Sequence, residues 1–210
     1  MLDDMPQRWL TRDISLLLGG RALRSLSQGF LTILVPVYLA RSGYSGGRVG
    51  LVFTAGAIGS ILLTATVGFA ADRIGRKPLL IGLGVLTAIA AFTFAVTTSF
   101  AVLLIAAALG TIGRGGGAGS SGAYGPYYPA EQPLLAAQVR DEMRTHVFGV
   151  VAVVGVLAGA LGSLAATIPS ALHRLFAMPE VMGDRVMFAC AAALGLAMAA
   201  VVTPVDEPPP

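Results

Sequence analysis

Ten consecutive residues carry the chemistry that is easiest to read: Gly68-Phe69-Ala70-Ala71-Asp72-Arg73-Ile74-Gly75-Arg76-Lys77. Asp72 is the only acid among three bases, Arg73, Arg76 and Lys77. A carboxylate so placed can pair with a guanidinium or sit at the positive N-terminus of a neighbouring helix. Gly75 supplies the backbone freedom of a tight turn between two helices. The spacing Gly-x-x-x-Asp-Arg-x-Gly-Arg-Lys is more specific than a basic anchor requires.

A second set of polar groups falls inside apolar runs. Arg114 follows a run that begins near Phe100, and at 1.5 Å per residue it lies roughly 20 Å along it, past the midplane of a bilayer. An arginine there costs on the order of 2.5–3.5 kcal/mol on insertion scales. It therefore either faces a polar cavity or reaches the interface by its long stem. Arg21 and Arg24 lie near the start of the first apolar run, where snorkelling is the simpler expectation and a gate or cavity role the alternative. Ser25, Ser27, Gln28 and Ser120 offer neutral hydrogen bonds. The eleven acids all fall in links or at run ends, and His146 and His173 fall toward opposite faces. Proton relays in transporters are usually built on intramembrane Asp, Glu or His, so a titrating group would have to come from elsewhere, or from Asp72 or Asp13 at run ends. An intramembrane enzyme fails on the same inventory. Gly117-Ala118-Gly119-Ser120-Ser121-Gly122 matches G-x-G-x-x-G in letters only, because a dinucleotide site needs a preceding strand. No cofactor and no metal site are expected. Tyr124, Tyr127 and Tyr128 read as an interfacial aromatic belt, with a substrate-stacking box as the alternative.

The elements that hold these residues follow from composition. Of 210 residues, 55% are hydrophobic, 27 are Gly and only 12% are charged, with a mean hydropathy of +0.78. A soluble domain carries about 25% charged residues, so an integral membrane protein is indicated. Disorder is excluded by the same numbers. The net charge of +3 is better explained by basic loops on one side of a bilayer than by nucleic acid. Cys190 is the single cysteine, so no disulfide framework exists.

Six runs are long and apolar enough to span, at about 14–39, 49–71, 78–96, 100–124, 146–168 and 186–203. A span needs roughly 20 such residues. Short polar links between long runs favour helices over a barrel. The expected architecture is an all-α integral membrane bundle of six transmembrane helices, arranged as three, a longer connector, and three more. In that connector, Leu134–Met143 is amphipathic and suited to the interface. Six spans place both ends on one side, and that side holds seven basic residues against four opposite. Three of the seven sit in the short 72–77 link, so residues 1–13 and 204–210 are read as cytoplasmic. Glycines within the runs, including the Gly155/Gly159 pair, predict close helix packing.

The 68–77 stretch resembles the loop signature between the second and third helices of the major facilitator superfamily, with Ala70 where Leu is usual. Gly43–Gly50 resembles the family's entry to the second helix, and Arg114 with Gly117 and Gly119 loosely resembles its fourth-helix Arg/Gly motif. Pro129-Ala130-Glu131 followed by Arg140 and Arg144 resembles the four-to-five connector. The resemblance implies the N-terminal six-helix half of a twelve-helix transporter working by alternating access, in a plasma membrane, on a small solute and as an exporter. It also implies that Gly68, Asp72, Arg73, Gly75, Arg76 and Lys77 form a cytoplasmic latch, with Arg140 or Arg144 as partner of Asp72. Helices one and four would line the cavity, with Arg114, Ser25 and Gln28 as its polar groups. The other half would be supplied by the same polypeptide, a separate chain or self-association, with 204–210 as the start of the central linker. The antiporter Gly-Pro pair is missing, since Gly159 is followed by Ala160. A non-transporting scaffold subunit or truncated relic is the alternative.

Overall fold

Thr11 opens the first helix by accepting a hydrogen bond from the Ile14 amide through its hydroxyl, and Asp13 adds a negative charge to the first turn. The computed structural model describes residues 10–110 and 125–207. Within them eight α-helices follow in order: α1 Arg12–Arg41, α2 Gly46–Ile74, α3 Arg76–Val96, α4 Phe100–Gly110, α5 Tyr128–Ala137, α6 Arg144–Ala165, α7 Ile168–Phe176 and α8 Glu180–Val202. A single 3₁₀ turn, Asp141–Met143, precedes α6. No strand occurs among the described residues. Five helical stretches have the length and apolarity to cross a membrane: α1, α2, α3, Asp141–Phe176 and α8. A shorter apolar helix, Phe100–Leu109, joins them.

Close contact between helices depends on missing side chains. A Cβ on Gly29 of α1 would overlap the Gly159 carbonyl of α6, and one on Gly162 would overlap the Leu26 carbonyl. Lipid tails give apolar side chains no reason to prefer each other, so such backbone approach is what holds α1 against α6. One core lies toward the α1 C-terminus, where Tyr38, Phe94 and Phe188 are fully buried. Phe188 sits 5.1 Å from the Tyr38 ring and 5.2 Å from Phe94. A second core, toward the opposite end, gathers Ile14, Leu80, Leu134, Val147 and Val202.

The ends are tied by ions. At the α1 C-terminus, Arg41 reaches Glu180 through Nε at 2.9 Å and both oxygens of the fully buried Asp184 through Nη1 at 2.9 and 3.1 Å. This fastens α1 to the start of α8.

Leu134 and Leu135, at the start of the amphipathic stretch that runs to Met143, belong to α5, are buried, and pack in the second core. The reason is that Pro129 stands at the start of α5, where its missing N–H costs nothing. Pro133 lies inside the same helix.

Candidate functional site

Two polar constellations occupy the same end of the bundle. The first is buried. Arg21 and Arg24 are one turn apart on α1 and converge on Glu131 of α5. Arg21 Nη1 lies 3.1 Å from Glu131 Oε1 and Arg24 Nη2 lies 2.6 Å from Oε2. All three residues are 6% exposed. The Arg24 guanidinium also stacks 4.4 Å over the Tyr127 ring. Tyr127 donates its hydroxyl to the Leu83 carbonyl at 2.9 Å and meets the Thr87 hydroxyl at 2.8 Å. The cluster thus joins α1, α3 and α5.

Two cations on one carboxylate leave a net positive charge, and Arg21 Nε, Arg24 Nε and Arg24 Nη1 have no hydrogen-bond partner among the described residues. The adjoining void, lined by Leu17, Gly20, Leu80, Met198 and Val202 beside the charges, measures about 10 Å³. That is room for one water at most. Among the described residues the cluster braces α1, α3 and α5.

The sequence favours snorkelling for Arg21 and Arg24, and the buried triad corrects that expectation. Glu131 lies in the link expected after the fourth run, within α5, and is buried there. Tyr127, expected in an interfacial belt, is buried beneath Arg24. The usable signal was stoichiometric: two arginines in an apolar run call for a nearby acid, and Glu131 follows a proline that can start a helix.

The second constellation is the 68–77 turn. Gly75 takes φ +95°, ending α2 and beginning α3 in a region that L side chains rarely adopt. The first amides of α3 face Glu207: Arg76 N donates to Oε1 at 2.5 Å and Lys77 N to Oε2 at 3.1 Å. A carboxylate at a helix N-terminus is stabilised by both the free N–H groups and the helix dipole. Fully buried Val205 and the bond from Gln138 Nε2 to the Asp206 carbonyl, 3.0 Å, hold the segment that brings Glu207 there. This docked tail was not foreseen, since nothing in the sequence distinguishes Glu207 from Asp206 as a cap.

Asp72 and Arg73 are exposed at the end of α2. Arg144 pairs with Asp141 at 2.9 Å and donates to the Ala136 carbonyl at 3.3 Å. No ion pair links Asp72 to Arg140 or Arg144 among the described residues. Gly68 is exposed on α2 with open space around it. Ser25 and Ser27 are buried, their hydroxyls without a partner among the described residues, and Gln28 is half-buried. Arg114, Ser120 and Tyr124 lie outside the described residues.

Comparison with known proteins agrees with this architecture. The chain is 33% identical over 91 residues to the quinolone resistance protein NorA of Staphylococcus aureus, a match covering 43% of this chain and 23% of that protein. It is 25% identical over 154 residues to an uncharacterized membrane protein of Saccharomyces cerevisiae, covering 73% of this chain and 33% of the relative. Among solved structures, a bacterial homolog of the human lysosomal transporter Spinster, in an inward-facing and occupied conformation, superposes with a TM-score of 0.71 at 19% identity. That match takes in 97% of this chain and 46% of the other. The chain therefore spans less than half the length of these proteins. The family model for the Major Facilitator Superfamily matches residues 17–210, and the chain belongs to that superfamily.

Proposed function

We propose that this chain acts as the N-terminal six-helix half of a secondary transporter that moves a small solute across the plasma membrane by alternating access. Outward movement is the proposed direction, and both chain ends are assigned to the cytoplasmic side. The six spans would be those starting near 14, 49, 78, 100, 146 and 186, in a three-plus-three arrangement. The observation that carries the reading is the state of the 68–77 turn. Its backbone is fixed by Gly75 and Glu207, while Asp72 and Arg73 project from the bundle end. A capped turn presenting a carboxylate that has no ion pair among the described residues suits a latch that meets a second half. Exposed apolar residues along α2, among them Leu51, Ile58, Leu62 and Phe69, give that half a face to approach.

The 33% identity to a quinolone resistance protein supports export, and makes a fluorescent quinolone the first probe to use. The intact protein in proteoliposomes is expected to drive quinolone flux above that of empty vesicles. A panel of other amphipathic organic cations and anions extends the test. Absence of flux for every solute, with the protein folded and inserted, would favour a scaffold role and refute the transport reading.

A further inference from the structure

The end of the bundle opposite the 68–77 turn carries a cleft of about 590 Å³ that the transport reading does not use. Its walls include Ile33, Val37 and Arg41 of α1 and Ser170, Arg174 and Leu175 of α7. The helices around α1 explain why it is open. α6 covers α1 at Leu26 and Gly29, and α8 covers it at Tyr38 and Arg41. Ile33 and Val37, four residues apart on one stripe, fall between these two faces. Both remain substantially exposed, because the chain leaves α6 after Ala165 and turns into α7.

α7 has the pattern of a helix lying in a membrane interface. Ile168, Leu172, Leu175 and Phe176 occupy one arc, and Ser170, His173 and Arg174 the other. Its first turn is seated on α8, with Pro169 against Gly183. Leu175 and Phe176 are then left 76% and 70% exposed. At the end of membrane-length helices, such an apolar face belongs at the boundary between headgroups and acyl chains.

Charge selects the occupant. Arg41 is engaged by Glu180 and Asp184, whereas Arg174 has no ion pair among the described residues. The cleft thus combines an apolar wall with a guanidinium that has no ion pair among the described residues.

We propose that this cleft binds one anionic glycerophospholipid. Its acyl chain lies along Ile33, Val37 and Leu175, and its phosphate is held by Arg174. A guanidinium takes phosphate oxygens in a bidentate fork, and α7 confines the chain against α1.

Site-directed tryptophan quenching by brominated lipid tests the assignment in nanodiscs of the intact protein. The background carries Trp9→Phe. Val37→Trp reports the cleft, and Leu196→Trp, exposed on α8, reports the ordinary annular lipid. Brominated phosphatidylglycerol and brominated phosphatidylcholine are compared at equal mole fraction. The expected result is a roughly fivefold apparent preference for phosphatidylglycerol at position 37, none at position 196, and loss of the preference in Arg174→Gln. Equal quenching by the two lipids at position 37 would mean annular lipid and overturn the proposal. Quenching by neither would mean that protein covers the cleft, as a second half could, and would overturn it too. A preference surviving Arg174→Gln would refute the phosphate seat. If Val37→Trp does not fold, Leu175→Trp, on the opposite wall, gives the same readout.

Discussion

The buried triad of Arg21, Arg24 and Glu131 decides what single residues can be changed at this end of the bundle. Taking three charged groups out of water is costly, and only their mutual pairing offsets it. Removing the carboxylate leaves two guanidiniums facing each other with no counterion. Glu131→Gln should therefore destabilise the protein by about 3–5 kcal/mol, the range for breaking a buried pair. Thermal unfolding in detergent would show it. Tyr127→Phe removes one hydroxyl from the network and should cost about 1–3 kcal/mol, because the Leu83 carbonyl and Thr87 hydroxyl lose a buried partner. A melting curve unchanged in Glu131→Gln would mean that the three charges are solvated and the brace does not exist. At this scale the sequence was partly legible. The helix-to-helix turn at 68–77 and the need for close glycines were readable, whereas Arg21 and Arg24 read as snorkelling residues. Their partner was not readable, because pairing residues 107 and 110 positions apart is a property of the packed helices and leaves no local pattern.

Among the elements, hydropathy located the long helices well, since each is a run longer than a bilayer needs. It failed at α5, a ten-residue helix whose prolines mimic a loop and whose stability comes from tertiary burial of Leu134 and Leu135. It also failed at α7, whose apolar face is too short to register as a span. The α1–α6 contact gives a clear test of close approach. Gly29→Leu must displace the α6 backbone at Gly159, and a destabilisation of at least about 1–3 kcal/mol is expected from overpacking. Gly82→Leu, placed in open space on α3, should be near neutral in the same denaturation series. The α3 N-terminus gives another. Glu207→Ala removes the carboxylate from the Arg76 and Lys77 amides and should cost about 0.5–2 kcal/mol, as loss of a helix cap does. Hydrogen exchange at those two amides would quicken, with the α3 interior unaffected. Unaltered exchange there would show that the docked tail does not hold the turn.

For the whole molecule, the described polar contacts concentrate at two ends of the helical bundle. One end is fastened by Arg41, Glu180 and Asp184. The other has a buried brace, a capped turn and an exposed acid beyond it. In alternating access, a unit that moves as a body transmits contacts at one end to the other. The match covers 23% of NorA and 46% of the Spinster homolog. The central claim is that the 68–77 turn latches such a unit through Asp72. It is tested most directly by the initial rate of solute flux in proteoliposomes, Asp72→Asn against wild type, with unfolding temperature recorded on the same samples. Asp72 is exposed, so its loss should leave the melting temperature unchanged. A latch contact worth about 1–3 kcal/mol of coupling predicts a fall in rate of about 5- to 150-fold. An unchanged rate in Asp72→Asn, at unchanged stability, would contradict the account.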